Sequence, residues 1–138
     1  MSRLLVLEQW LQDFIAKQEG AAGTIHLFEN GGLRLASAIN IPPPVQQAVA
    51  WVPSGKGMAG LALERKEPIQ TCNLKEDNSG NVRPGAKAVN ARAAVAVPVS
   101  DGAAGIRAVV GIAFPHEHEF TKAELDELTV AASTVPVS

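Results

Sequence analysis

The 138-residue sequence contains one cysteine, Cys72, no tyrosine, four phenylalanines and two tryptophans. A lone cysteine excludes an internal disulfide and a thiolate metal cluster. Scarce aromatics argue against a surface on which nucleic-acid bases stack. Neither sign of charge dominates: 12 Lys and Arg against 14 Asp and Glu leave a formal net charge of −2. That balance points to neither nucleic acid nor an anionic membrane. Long apolar runs are missing too. Leu4-Leu5-Val6-Leu7 is broken at once by Glu8, Gln9 and Asp13, which suits neither a signal peptide nor a membrane span. Phosphate loops of the form G-x-x-x-x-G-K-[ST] and nucleophile elbows of the form G-x-S-x-G are also absent. The expectation is a cytoplasmic protein with no nucleic-acid partner, no membrane and no cofactor.

What is present is enough apolar residue, 46%, for one domain over residues 1–138 with a core of its own. The chain is organised around residues 52–63, where Pro53 and three glycines lead into a short run of helix formers. Gly55, Gly57 and Gly60 read literally as G-x-G-x-x-G, with Asp77 about 20 residues beyond, as in the dinucleotide fingerprint. The context does not fit. Pro53 and Ser54 separate the preceding apolar residues from Gly55, and Pro68 stops the following helix near Arg65.

Residues 2–19 predict a helix with Leu4, Leu7, Leu11 and Phe14 in a heptad-like stripe, Trp10 alongside, ended by Gly20 and Gly23. Residues 24–28 and 33–39 read as two strands joined through Asn30-Gly31, a strong hairpin signal. His26 falls in the first, as a pocket residue or as a satisfied or solvent-facing histidine. Three prolines, Pro42 to Pro44, start a short helix over 45–50, and residues 68–72 form another strand. Residues 73–90 are irregular and long for a compact domain, carrying Lys75, Arg83 and Lys87, with Arg92 just beyond. Residues 91–100 and 106–114 read as apolar central strands around a loop at 101–105. Thr121 and Glu124 form a capping box for a last helix, with Leu125, Leu128, Ala132 and Val135 as its stripe.

With its local residues, this order resembles the GAF domain family from about Gly23 to Val135. The resemblance rests on Gly23-Thr24-Ile25-His26-Leu27, residues 52–62, Glu67-Pro68-Ile69, residues 94–99 and Val109-Val110-Gly111-Ile112. It implies an α+β fold, an α/β sandwich. An antiparallel sheet of five or six strands carries the terminal helices (1–20 and 121–135) on one face. Residues 23–114 supply the sheet, short helices and a small-molecule pocket on the other face. Cyclic-nucleotide-binding members carry an Asn-Lys pair and a Phe-x-x-x-Asp-Glu cluster. Here Asn73-Leu74-Lys75 interrupts the first, and Phe120-Thr121-Lys122-Ala123-Glu124 lacks the aspartate of the second. Bilin binders follow their cysteine with histidine, whereas Asn73 follows Cys72. The enzymatic branch reduces free methionine sulfoxide and resolves its attacking cysteine with others, which a single cysteine does not allow within the chain.

The expected function is therefore a non-enzymatic, ligand-binding sensor module that signals through helix-mediated dimerisation. The alternatives are a dimerisation module with a vestigial pocket, or a small redox enzyme of the methionine sulfoxide type. The ligand-binding residues expected are Met58, Leu61, Asn73, Arg83, Asn90 and Arg92, with Asn78 nearby and Val95 and Val97 in the floor. The arginines suggest an anionic or amphipathic ligand. The expected homodimer interface is Leu4, Leu7, Trp10, Leu11, Phe14 and Leu128. Cys72 reads as a buried thiol. His116 and His118, with no third ligand beside them, read as solvated, so no metal is expected. With no output segment after Pro136, the chain either recruits partners or is a piece of a longer protein.

Overall fold

Asn30 and Gly31 adopt φ of 50° and 80°, the left-handed pair that turns a chain back on itself in two residues. They close a hairpin between β1 (Ala22–Glu29) and β2 (Gly32–Ile39). The computed structural model describes residues 2–71 and 92–137. Around this hairpin it adds β3 (Trp51–Pro53), β4 (Ile69–Thr71), β5 (Ala93–Ser100) and β6 (Ile106–Phe114). The six strands form one sheet in the order β3-β2-β1-β6-β5-β4, and every pairing is antiparallel. A dinucleotide site at a parallel switch point has no place in it.

Alternation along the central strands sends large side chains one way and small ones the other. Ile25, Leu27, Val95, Val97, Val110 and Ile112 point to one face, where they pack with Leu7, Leu11 and Phe14 of α1 (Arg3–Lys17) and Leu128 and Ala132 of α4 (Lys122–Ala132). Both terminal helices thus lie on one side, as the resemblance implies. The opposite face carries α2 (Pro43–Ala48) and α3 (Gly57–Arg65). There Leu61, Ala62 and Leu63 pack with Leu33, Val52 and Val109 in a smaller cluster.

Four details depart from the sequence reading. Trp51–Pro53 forms a strand on the free edge of β2, with Val52 opposite Leu33; three residues are too few for periodicity to reveal. The second helix starts at Pro43 rather than residue 45, because prolines suit a first turn that needs no N–H. Glu19, not a glycine, takes the left-handed position after α1, at φ 59°. The last helix ends at Ala132, and Val135 is buried in the turns that follow. Pro98 sits beyond the end of β4, which reaches along β5 only to Ala96, so no ladder bond is missed there.

Hydrogen bonds fasten the helices to the sheet. Ser2 caps α1 by accepting from the Leu5 amide at 3.2 Å. At α4, Thr121 accepts from the Glu124 amide at 3.2 Å while Glu124 accepts from the Thr121 amide at 2.9 Å, the reciprocal box. Trp10 stacks on Phe14 and donates to Thr134 Oγ1 at 3.0 Å. Arg107 on β6 donates to the carbonyls of Ser133 and Val137, which holds the segment after α4 and places a cation at the negative end of the helix.

The turn before α3 is set by two glycines. Gly57 sits at φ 64°, where a side chain is disfavoured. Gly60 lies so close to the sheet edge that an added Cβ would overlap the Pro53 carbonyl oxygen. Gly60→Ala is expected to destabilise the protein by about 1–3 kcal/mol, the usual cost of forcing atoms into a filled space, despite alanine's better helix propensity. Urea unfolding measures it; a neutral or stabilising result would show that α3 docks less tightly than described.

Candidate functional site

Where the sheet turns its small residues outward, a cavity of about 140 Å³ remains between it and the short helices. Its floor is Ala94 and Ala96 of β5 and Gly111 and Ala113 of β6, with the backbone of Gly23 on β1 beside them. Larger side chains at these positions would fill the space; glycine and alanine keep it open. Val45 and Val49 close one side from α2 and its end, Val52 another, and Met58 and Ala59 of α3 a third. The walls are almost wholly apolar.

Among the described residues three polar side chains border the cavity: Thr24, His26 and Lys56. Thr24 and His26 are two residues apart on β1, so they share the face opposite Ile25 and Leu27. His26 is 3% exposed. Its Nε2–H donates to the Val49 carbonyl at 2.9 Å, which ties the C-terminal end of α2 to the sheet. Nδ1 is then an acceptor, buried and without a partner. Burial holds the His26 pKa below its ordinary value, against a smaller opposing effect of the Val49 hydrogen bond, so the ring is neutral. Lys56 is exposed at the start of α3 and has no ion pair among the described residues. Among the described residues no aspartate or glutamate borders the cavity.

The sequence-expected residues divide on this geometry. Met58 lines the cavity. Leu61 is buried beside it in the α3 cluster and does not border it. Val95 borders it, but its side chain belongs to the helix-side core with Val97, because alternation turns Ala94 and Ala96 to the cavity instead. Arg92 lies outside the lining, paired with Glu117 at 3.6 Å on the surface. Asn73, Asn78, Arg83 and Asn90, like Cys72, Lys75, Asp77 and Lys87, lie outside the described residues. Of the expected interface, Leu7, Leu11, Phe14 and Leu128 are buried in the chain's own core and offer a partner no surface. Trp10 is partly buried against Phe14, and Leu4 is 59% exposed.

Thr24 and Lys56 were missed by sequence reasoning, although signals for both exist: Thr24 by its spacing from His26, Lys56 by its position at the mouth of a glycine turn. Of the His116 and His118 pair, His118 is engaged locally. His118 Nε2 lies 2.8 Å from Glu124 Oε2 and its ring sets an edge on Phe120. The Thr121 amide, and then His118, hold the Glu124 carboxyl below its ordinary value. Among the described residues no group of three or more His, Cys, Asp or Glu is arranged to hold a metal.

The profile of the GAF domain family matches residues 6–136. This chain belongs to the GAF domain family. The fold of this GAF domain recurs in solved structures at low identity. A type II free methionine-R-sulfoxide reductase from Thermoplasma acidophilum is 16% identical with a TM-score of 0.72, over 91% of this chain and 84% of that one. A GAF domain of A. aeolicus is 19% identical with a TM-score of 0.69, over 98% and 80%. The GAF domain of an Acinetobacter phosphoenolpyruvate-protein phosphotransferase is 18% identical with a TM-score of 0.65, over 98% and 93%. A search of curated proteins finds no significant match. The family assignment supports a sensory or regulatory module in general, on a fold that free methionine sulfoxide reductases share. No helix among the described residues is long and apolar enough to cross a membrane.

Burial of His26 has a consequence for stability. The fold disfavours its protonation, whereas the unfolded chain has an ordinary histidine that titrates near pH 6.5. Below that pH the unfolded state binds more protons, so stability falls as pH drops from about 6.5 toward the lowered folded-state value. His26→Gln keeps a donor for Val49 and removes the titration. Unfolding free energies of the two proteins between about pH 5 and pH 8 are expected to differ most at the acid end, with the flatter profile in the variant. Parallel profiles would mean that His26 is not buried as a neutral ring.

Proposed function

We infer that this GAF domain is a non-enzymatic sensor that binds a small molecule in the cavity between the sheet and α2 and α3. The observation that carries this reading is the floor of glycine and alanine under an otherwise well-packed fold. Protein interiors are dense, and a cavity of about 140 Å³ is close to the roughly 150 Å³ that admits a benzene-sized guest. Three of its walls come from short elements, α2, β3 and the start of α3. A non-catalytic role accords with the lining. His26 commits Nε2 to Val49, so Thr24 has no base positioned by it, and among the described residues no acid borders the cavity. The single cysteine lacks a second thiol for an intramolecular reductase cycle. A cytoplasmic location accords with the near-neutral composition.

Filling the floor tests this. Ala94→Leu is expected to abolish the thermal stabilisation that the wild type shows with some member of a metabolite panel, while the variant itself melts within a few degrees of wild type. The wild type is also expected to reduce no free methionine sulfoxide in the presence of a thiol reductant. A panel that stabilises neither protein, or both equally, removes the cavity as a ligand site; reductase turnover favours the enzymatic alternative.

The same reading includes a homodimer, which we assign to the exposed start of α1. Leu4, Leu5 and Val6 at the start of α1 are 59, 55 and 36% exposed, an apolar patch on a helix whose other face is buried. Sedimentation at micromolar concentration is expected to show a dimer for wild type and a folded monomer for Leu5→Glu. Leu11→Glu would instead unfold the chain, since Leu11 is fully buried. A monomeric wild type, or a dimeric Leu5→Glu, counts against the patch.

A further inference from the structure

We propose that the cavity selects a small monocarboxylate with a short apolar body, its carboxylate on the N-terminal end of α3 beside Lys56 and a hydrogen-bond donor on its body facing His26. This rests on the reading that the cavity takes a ligand, and adds its chemistry.

Three observations set the charge. The amides of Gly57, Met58 and Ala59 are the first of a nine-residue helix and have no intrahelical partner. No side chain caps this end, unlike α1 and α4, whose Ser2 and Thr121 do so. All three residues border the cavity, so free donors and the positive end of the helix dipole face it. Lys56, directly before them, adds a formal positive charge without an ion pair among the described residues. Among the described residues no carboxylate lines the cavity to compete for either. A cationic group at this end would meet Lys56 and the positive end of the helix.

Independently of the helix end, His26 is 3% exposed, borders the same cavity and keeps Nδ1 without a partner. Buried acceptors are rarely left so. With Nε2–H given to Val49 and burial keeping the ring neutral, Nδ1 can only accept. A hydroxyl or amine on the guest supplies the missing donor. The volume, about 140 Å³, limits the buried body to about the size of a benzene ring or a branched four-carbon chain. One ammonium beside apolar walls balances a single negative charge more closely than a phosphate dianion.

Matched pairs separate charge from shape: benzoate against benzamide, and isovalerate against isovaleramide, measured by calorimetric titration on the full chain. Each acid is expected to bind about tenfold or more tightly than its amide, the span of a charge-assisted hydrogen bond. Lys56→Met, an exposed position, is expected to melt as wild type does, to lose most of that preference and to leave the amides unaffected. Either 3- or 4-hydroxybenzoate is expected to bind more tightly than benzoate. Amides that bind as well as acids, or a Lys56→Met change that weakens both alike, would overturn the carboxylate assignment while leaving the cavity a ligand site. Phenyl phosphate binding more tightly than benzoate would overturn it in favour of a phosphate. Hydroxybenzoates no tighter than benzoate would overturn the role of His26. If no member of any pair binds and Ala94→Leu melts no differently in the metabolite panel, the inference and the reading beneath it fall together.

Discussion

Everything in this domain depends on the two faces of one sheet being built from residues of different size. Toward α1 and α4 the central strands present Ile25, Leu27, Val95, Val97, Val110 and Ile112. Toward α2 and α3 they present Ala94, Ala96, Gly111 and Ala113. The first face makes the core, where burial of each large aliphatic side chain stabilises the fold by about 1.5–3 kcal/mol. The second gives up much of that stabilisation over the same strands and leaves room. Stability and vacancy are therefore assigned to opposite sides of a single layer by a period-two alternation.

That division explains why the cavity side needs specific tethers. Few large side chains hold α2, so the His26 hydrogen bond to Val49 does part of what packing does elsewhere. The edge strand β3 is three residues long, and α3 is brought against it by the Gly60 contact with Pro53. Each tether fixes a polar or backbone group at the cavity wall, so the elements that enclose the space also supply its chemistry. The free amides of α3 belong to the same case: a capping side chain at residue 56 would satisfy them, and lysine in that place cannot.

The fold was legible in the sequence because its signals are local and strong. Asn30-Gly31 dictates a hairpin, Thr121 with Glu124 a helix start, and the apolar run from Ala93 to Phe114 a pair of central strands. What escaped was set by tertiary contact. Three residues of β3 carry no period, and the stripe Leu7, Leu11, Phe14 and Leu128 looks the same whether it faces a partner chain or the chain's own sheet. The site was legible only in part for a related reason. Met58 and His26 were picked out by residue type, but arginine chemistry drew attention to Arg92, which the fold turns to Glu117. The cavity is defined instead by what its floor lacks, and alanine and glycine attract no notice in a search for functional groups.

Sheet alternation also sets how the two sides can communicate. Ala94 and Ala96 border the cavity while Val95 and Val97, between and beside them on the same strand, pack in the core that α1 and α4 complete. A strand moved by a guest on one face moves its neighbours on the other, because the core on that side is dense and transmits displacement. Two polar clamps lie along the way. Gln70 on β4 bonds the Phe120 backbone in both directions, Nε2 to its carbonyl at 3.0 Å and Oε1 from its amide at 2.8 Å, just ahead of the α4 cap. Arg107 on β6 holds the carbonyls that follow α4. Both ends of the last helix are thus fastened to strands of the sheet, one to the edge strand beside β5 and one to the strand that contributes Gly111 and Ala113 to the floor. In the proposed sensor, displacement of the sheet by a guest would reach α4 directly, since the layer that bounds the cavity is the layer to which the terminal helix is fixed.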